Sequence, residues 1–391
     1  MKIFFGMINL KIVLIVALAF ILGWKLGQTE TGQPLSNPDV DFKLFWDTWN
    51  LLSRDFLERE TLDKDKLFYG AISGMVSAAG DPYTFFLPPE VQKASKEELG
   101  GSFEGVGIQL GFDKEKKLVV IAPLSGMPAE KAGVKAGDWI VKIDTKDTAA
   151  MTLPEAVKLI RGEKGTKVEL VIAREEEEDT RTFSLTRDTI LVKSVELQYK
   201  KTKSGKQVAV IKLSRFSDRT RPEWNEAVGD ILLKGPAGLV LDVRNNPGGY
   251  LDGAVFVVSE FLDGGDVVLQ KDGKEREQAF KVNRKGQLLN IPLIVLINKG
   301  SASASEIVAG ALQDRGRAKL VGEKSFGKGT IQEAEELDQG AGVHITVAKW
   351  LTPNGRWVNE TEGLEPDVII EMDKEDETKD LQLEKALEML E

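Results

Sequence analysis

The sequence predicts a mixed α/β protein built from several domains, and three observations predict it. Between Asp188 and about Asp367, short apolar runs alternate with helix-forming stretches, the order expected of helices packed on a sheet. Between Gly100 and Arg187, short alternating runs punctuated by glycine turns predict a small β-rich module. Upstream of Gly100, apolar residues recur at helical spacing instead. A chain of 391 residues has room for two or three domains of about 150 residues each.

Taken from the N-terminus, Ile12 to Trp24 is thirteen residues without a charge, and Ile3 to Leu10 adds apolar length before Lys11. Thirteen residues match a signal-peptide core better than a full span of about twenty. No small-x-small cleavage pattern follows Trp24, so residues 1–27 are read as an uncleaved signal anchor in preference to a signal peptide. Lys2 and Lys11 favour an N-terminus left in the cytoplasm, with Lys25 weakening the contrast. The body is then expected outside the cytoplasm, in a periplasm or cell-wall space. Gln28 to Val40, rich in Gly, Pro, Ser and Asn, reads as a linker. Residues 41–99 follow as a helical region: Phe42, Phe45, Trp46, Trp49 and Leu52 share a helical face and are expected to form core. A second helix, Leu67 to Ala79, is expected to stop at Gly80-Asp81-Pro82.

Residues 100–187 begin with Phe103-Glu104-Gly105-Val106-Gly107-Ile108-Gln109-Leu110, a turn followed by alternation. Its glycines have the wrong spacing for a dinucleotide fold, and no strand precedes them. Lys117 to Ile121 and Asp138 to Ile143 read as strands, and Gly126 to Gly133 as a loop with a short helix. Thr152-Leu153-Pro154-Glu155 has the pattern of a capping box opening a helix through Ile160. Glu175 to Asp179 reads as an acidic hairpin turn.

Composition then narrows the chemistry. There is no cysteine, which excludes a thiol nucleophile and disulfides, and His344 is the only histidine. His344 lies in Gly342 to Val347, an alternating run read as a half-buried strand, so a Ser-His-Asp triad is disfavoured. The remaining solution is serine activated by lysine. Pro292 to Ile297 is a short apolar run read as a buried strand. It leads through Ser301, Ser303 and Ser305 into a helix-forming stretch, where unpaired backbone N–H groups collect. From the residues alone, these serines serve equally well as caps and packing residues. Lys328 sits between Gly327 and Gly329, beside Phe326; an apolar wall of this kind lowers a lysine pKa. Gln332 is placed to hold a neutral amine by a hydrogen bond. Gly322 to Lys328 also follows a phosphate-loop pattern. Gly329 stands where Ser or Thr would hold magnesium, however, so nucleotide binding is not expected.

Gly300-Ser-Ala-Ser-Ala-Ser-Glu306, Phe326-Gly-Lys-Gly329 and Gln332 resemble the signature of the C-terminal processing peptidases, the tail-specific serine proteases of family S41. Leu239-Val-Leu-Asp-Val-Arg-Asn-Asn-Pro-Gly-Gly249 resembles the core motif of that family, and Gly101 to Gln109 the start of its PDZ domain. The resemblance implies a PDZ domain at 100–187 and a crotonase/ClpP-like α/β peptidase core at 188–367. It also implies Ser303 as nucleophile, Lys328 as general base, 25 residues later, and Gln332 as the residue that orients it. Backbone N–H groups of Ala304 and of Gly248 or Gly249 would form the oxyanion hole. Gly105, Val106, Gly107 and Ile108 would receive the apolar C-terminal tail of a protein substrate. An activating adaptor protein and a homodimer or higher oligomer are further expectations from the family. A non-enzymatic PDZ adaptor retaining the fold is the alternative, against which the joint presence of Ser303, Lys328 and Gln332 speaks.

Net charge is −10 and no basic stripe interleaves with aromatics, so nucleic acid is not an expected partner. No metal or organic cofactor is implied. Residues 368–391 form an acidic tail: Glu371 to Glu391 carries nine acids against three lysines. Leu383, Ala386, Leu387 and Leu390 still share one helical face, which is expected to dock on the body or on a second subunit.

Overall fold

The computed structural model describes residues 40–391, except 125, 175, 176, 178 and 373–378. The membrane-targeting segment expected at residues 1–27, and the linker expected after it up to residue 39, lie outside the described residues. Among the described residues, no helix is long and apolar enough to cross a membrane. The chain divides into two compact units, Met1–Tyr69 and Gly70–Glu391.

In the first unit, the helix Lys43–Asp55 carries the aromatic stripe that the sequence places at helical spacing. The expectation that this stripe forms core is not met. No residue of the helix is buried, and Trp46 is 55% exposed. The rings pack on one another instead, with Phe45 stacked on Trp49 at 6.2 Å and edge-on to Trp46 at 5.1 Å. Helical periodicity reports which residues share a face, and says nothing of whether a second surface covers them.

In the second unit, the region that the resemblance assigns to a peptidase core is built on a six-stranded sheet. Its strands run in the order Val195–Lys201, Gln207–Leu213, Gly238–Asp242, Leu293–Ile297, Lys319–Gly322 and Val368–Ile369. The first pair is antiparallel and all later pairs are parallel. Gly238–Asp242 and Leu293–Ile297 are buried along their whole length, because both sheet faces are covered. Leu239, Leu241, Leu293, Val295 and Ile297 face a core shared with the helices Thr220–Lys234, Leu251–Val258 and Ala304–Asp314. The alternate residues Val240, Ile294 and Leu296 meet Ala386 and Leu390 of the C-terminal helix Leu381–Met389 and its end. The acidic tail therefore docks on its own chain. Arg244 anchors it, bridging Asp242 at 2.7 Å and Asp380 at 2.7 Å.

A second sheet carries Phe85–Leu87, Gly342–Leu351, Asp266–Asp272 and Glu277–Lys281, with Thr330–Glu336 also paired to Gly342–Leu351. Phe85 sits opposite His344, so a strand from the segment read as helical closes onto the second sheet.

Between these parts of the chain lies the small β module. Its strands run in the order Ile108–Phe112, Leu118–Pro123, Trp139–Ile143, Lys167–Ala173 and Arg181–Thr186, with Lys146–Asp147 beside the third. Val120, Ile140, Ile143, Leu170 and Ile172 form its core. The helix Leu153–Ile160 opens with the expected capping box: Glu155 accepts from the Thr152 N–H and hydroxyl, both at 2.8 Å. Ser102–Gly105 pairs with Asp188–Leu191, joining the two ends of the module.

Candidate active site

The three serines of the Ser301–Ser305 run differ in what their hydroxyls do. Ser301 is fully buried and donates to the Val243 carbonyl at 2.8 Å. Ser305 is fully buried and donates to the Asn246 carbonyl at 2.8 Å. Ser303 is only partly buried, and its hydroxyl donates to no group among the described residues. The Ser301 and Ser305 latches, with the Ala302 N–H on Asn246 O at 3.0 Å, stitch the serine turn to the segment from Val243 through Asn246 that leads into Pro247-Gly248-Gly249. Ser303 occupies φ 54°, ψ −114°, a conformation that L-residues rarely adopt and that costs about 1–3 kcal/mol. It caps the helix Ala304–Asp314, so the Ala304 N–H is one of the free donors of a helix N-terminus.

Gly248 and Gly249 lie against this turn. A Cβ on Gly248 would come within 2.9 Å of the Ser303 Cβ and 3.1 Å of the Ala304 nitrogen. The two glycines are not equivalent as oxyanion donors. The Gly248 N–H already donates to Asn246 Oδ1 at 2.9 Å, whereas the Ala304 and Gly249 amides have no acceptor among the described residues. The Asn246 side chain is fully buried, and its own amide donates to Leu213 O at 2.7 Å, which fixes its orientation.

Lys328 comes from the loop between Lys319–Gly322 and Thr330–Glu336. Both flanking glycines have a steric reason. Gly327 has φ +95°, and a Cβ on Gly329 would meet Asn359 Oδ1 at 2.6 Å and the Trp357 ring at 2.7 Å. Trp350 Nε1 donates to Lys328 O and Trp357 Nε1 to Gly329 O, each at 2.9 Å. Burial holds the Lys328 amine below the ordinary lysine pKa, with the Asp81 and then the Glu306 carboxylate opposing. The aromatic wall is not the one expected. Phe326 is 56% exposed, and Lys328 Nζ instead lies over the Tyr83 ring, 5.1 Å from its centroid.

Glu306 ties the two turns together. Its buried carboxylate accepts from the Ser303 N–H at 2.8 Å and the Lys328 N–H at 2.9 Å. It also accepts from the Gly327 N–H at 2.7 Å and the Ser325 hydroxyl at 2.6 Å. Burial pushes its pKa up, while these four donors favour the acceptor-only carboxylate form. The sequence contained Glu306 within the serine motif but gave it no role; its position as third residue after an N-cap serine was the available signal. Asp81, Tyr83, Trp350 and Asn359 gave no local signal.

Gln332 lies on Thr330–Glu336, where its Nε2 donates to Thr330 Oγ1 at 2.9 Å and Thr346 Oγ1 at 3.1 Å. No hydrogen bond joins it to Lys328. His344 is stacked on Phe85 at 4.8 Å, and burial followed by the Lys328 charge lowers its pKa. It is therefore a packed strand residue, neutral at ordinary pH.

A partly buried serine on a strained strand-to-helix turn, with free backbone amides beside it and a desolvated lysine on a neighbouring loop, is the equipment of a serine hydrolase. The sequence pattern of Peptidase family S41 matches residues 207–370, and that of a PDZ domain matches residues 119–174. The chain is 36% identical over 374 residues to the Carboxy-terminal processing protease CtpA of Bacillus subtilis (strain 168), covering 95% of this chain and 78% of the relative. It is 38% identical over 375 residues to the Carboxyl-terminal-processing protease of Picosynechococcus sp. (strain ATCC 27264 / PCC 7002 / PR-6), covering 91% and 86%. The solved structure of a photosystem II D1 C-terminal processing protease aligns with TM-score 0.50 at 34% identity, over 84% of this chain and 92% of that one. The chain belongs to the carboxy-terminal processing proteases of Peptidase family S41, serine-type endopeptidases that carry a PDZ domain.

Proposed function

We propose that Ser303 and Lys328 carry out peptide-bond hydrolysis at the ends of proteins whose apolar C-terminal tails are received by the PDZ module. Neutral Lys328 takes the Ser303 hydroxyl proton as Oγ attacks the scissile carbonyl. The N–H groups of Ala304 and Gly249 bind the oxyanion, and Lys328 returns its proton to the leaving amine. Water then attacks the acyl-enzyme with the same lysine as base, releasing the acid and restoring the serine. Every proton in the cycle is handled by groups of this chain. The observation that carries the assignment is the division of labour among the serines: two hydroxyls are committed to backbone carbonyls and the third is not.

Tail capture is supported by the module's open edge. Among the described residues, Ile108–Phe112 pairs only with Leu118–Pro123, and the helix Leu153–Ile160 packs beside it, so an extended peptide can add as a further strand. Gly105 to Ile108 turn into that edge. Gly107 has φ +73°, and a Cβ there would meet the Met127 Cβ at 2.4 Å, so the turn tolerates no side chain. The uncharged segment Ile12 to Trp24 supports an extracytoplasmic body.

The test is to incubate the full chain with a loosely folded protein ending in an apolar tail, beside the Ser303→Ala chain, and to identify fragments by mass spectrometry. Fragments from the first alone support the assignment. Fragments from both remove Ser303 from it. A chain that binds the tail, does not cut it and is not acylated by a fluorophosphonate probe points to a non-enzymatic adaptor.

A further inference from the structure

Lys328 must gain and lose a proton twice in each cycle, and the groups around it decide how easily it does so. Four titratable side chains face it: Glu306 from the serine helix, Asp81 and Tyr83 from the turn before Phe85–Leu87, and His344 from the long strand of the second sheet. His344 is neutral. Tyr83 keeps its phenolic proton, since burial, then Glu306 and Asp81, push its pKa up. Glu306 accepts four hydrogen bonds from the two turns and has little capacity left for the amine. Asp81 is the remaining countercharge.

Asp81 is also held in place by the pairing that brings it there. With Phe85 opposite His344, the Thr346 N–H donates to Thr84 Oγ1 at 3.0 Å. The Thr84 hydroxyl in turn donates to Asp81 Oδ2 at 2.7 Å, and the Tyr83 N–H to Asp81 Oδ1 at 3.2 Å. Gln332, expected to orient the base, donates to Thr346 instead and so belongs to the scaffold behind Asp81.

We infer that Asp81 is the countercharge of the general base: fixed in the turn whose Tyr83 ring lies under the Lys328 amine, and making no ion pair with it, its carboxylate stabilises through space the ammonium that forms when Ser303 attacks. The inference rests on the Ser303–Lys328 assignment. Burial works to raise the Asp81 pKa. Hydrogen bonds from Thr346, Thr84 and the Tyr83 backbone, with the Lys328 charge, outweigh burial and keep it ionised. Its carboxylate favours the ammonium form of Lys328, so removing it makes the amine lose its proton more readily and leaves the later ammonium less stabilised.

The test follows the rate at which a fluorophosphonate probe acylates Ser303 of the full chain, read by mass spectrometry, from neutral to alkaline pH. In Asp81→Asn, which can still accept from Thr84, the acid limb is expected to move to lower pH while the alkaline plateau falls several-fold. Asp81→Glu, which restores the charge, is expected to bring the limb back toward the original. A profile scaled down without movement of its limb, or left unchanged, overturns the inference and leaves Asp81 a structural residue. If Asp81→Asn lacks the native circular dichroism spectrum, Thr84→Val serves in its place. It keeps the charge and removes one tether, and the same limb must move in the same direction. Failure of the underlying assignment is read separately, as acylation persisting in Lys328→Arg or labelling found away from Ser303.

Discussion

The turns that bear Ser303 and Lys328 are built in opposite ways. Ser303 is placed by one strand-to-helix turn and the single segment it is latched to: a buried strand ends at Ile297, Ser301 and Ser305 bind the carbonyls of Val243 and Asn246, and the helix begins at Ala304. Its strained backbone is stored within one short stretch of chain. Lys328 is placed by side chains gathered from four separate parts of the chain: Glu306 grips its N–H, Trp350 its carbonyl, Asn359 the next amide, and Tyr83 lies under its side chain. A nucleophile needs one exact direction, which a rigid turn supplies. A base needs a tuned environment, which only the assembled fold supplies.

That contrast can be broken or sharpened by mutation, starting with the largest effect. Ser303→Ala is expected to abolish acylation and cut peptide hydrolysis by more than about a thousandfold. Ser301→Ala and Ser305→Ala should instead cost about 1–3 kcal/mol in urea unfolding, because each leaves a buried carbonyl short of a donor, with the probe still found on Ser303. Labelling that moved to another serine would break the distinction among the three. Next, Lys328→Arg should lower kcat/KM by about a thousandfold, since guanidinium keeps its proton while charge is conserved. In the unaltered chain the rate should climb with pH through a titration below that of an ordinary lysine, because burial disfavours the ammonium.

Glu306→Gln tests the link between the turns. A glutamine amide would turn N–H groups toward donors that need an acceptor, so stability should fall by about 2–3 kcal/mol. Misplacing the pair should cost about a hundredfold in acylation. A variant that lost stability and kept its rate would show that the turns hold register without the carboxylate. The smallest effect is expected from Gly248→Ala. Its φ of +102° and the 2.9 Å approach to Ala302 O strain the loop by about 1–3 kcal/mol, with acylation slowed about tenfold.

The same contrast explains what could be read in advance. Pro292 to Ile297 announced a buried strand, the small residues after it a turn, and Thr152 to Glu155 a cap, because each depends on neighbours a few residues away. The alternation that begins at Ile108 was legible as a strand for the same reason. Phe326 was misread as the wall of the lysine because adjacency in sequence stood in for adjacency in space; Tyr83 holds that place through a strand pairing that leaves no local trace. Gln332 was credited with a bond to the base, whereas the register of Thr330–Glu336 against Gly342–Leu351 turns its amide toward Thr346. The aromatic stripe of Lys43–Asp55 was placed on one face correctly, and its exposure depended on surroundings that periodicity does not encode.

The pairing of Phe85 with His344 also bears on when a newly made chain becomes active. A ribosome releases Phe85 early and His344 late, with the whole PDZ module and most of the peptidase sheet synthesised between them. The surroundings of Lys328 cannot exist on a nascent chain, and contacts this distant are slow to close. A protease assembled in this way has no completed base while its own chain is still unfolded.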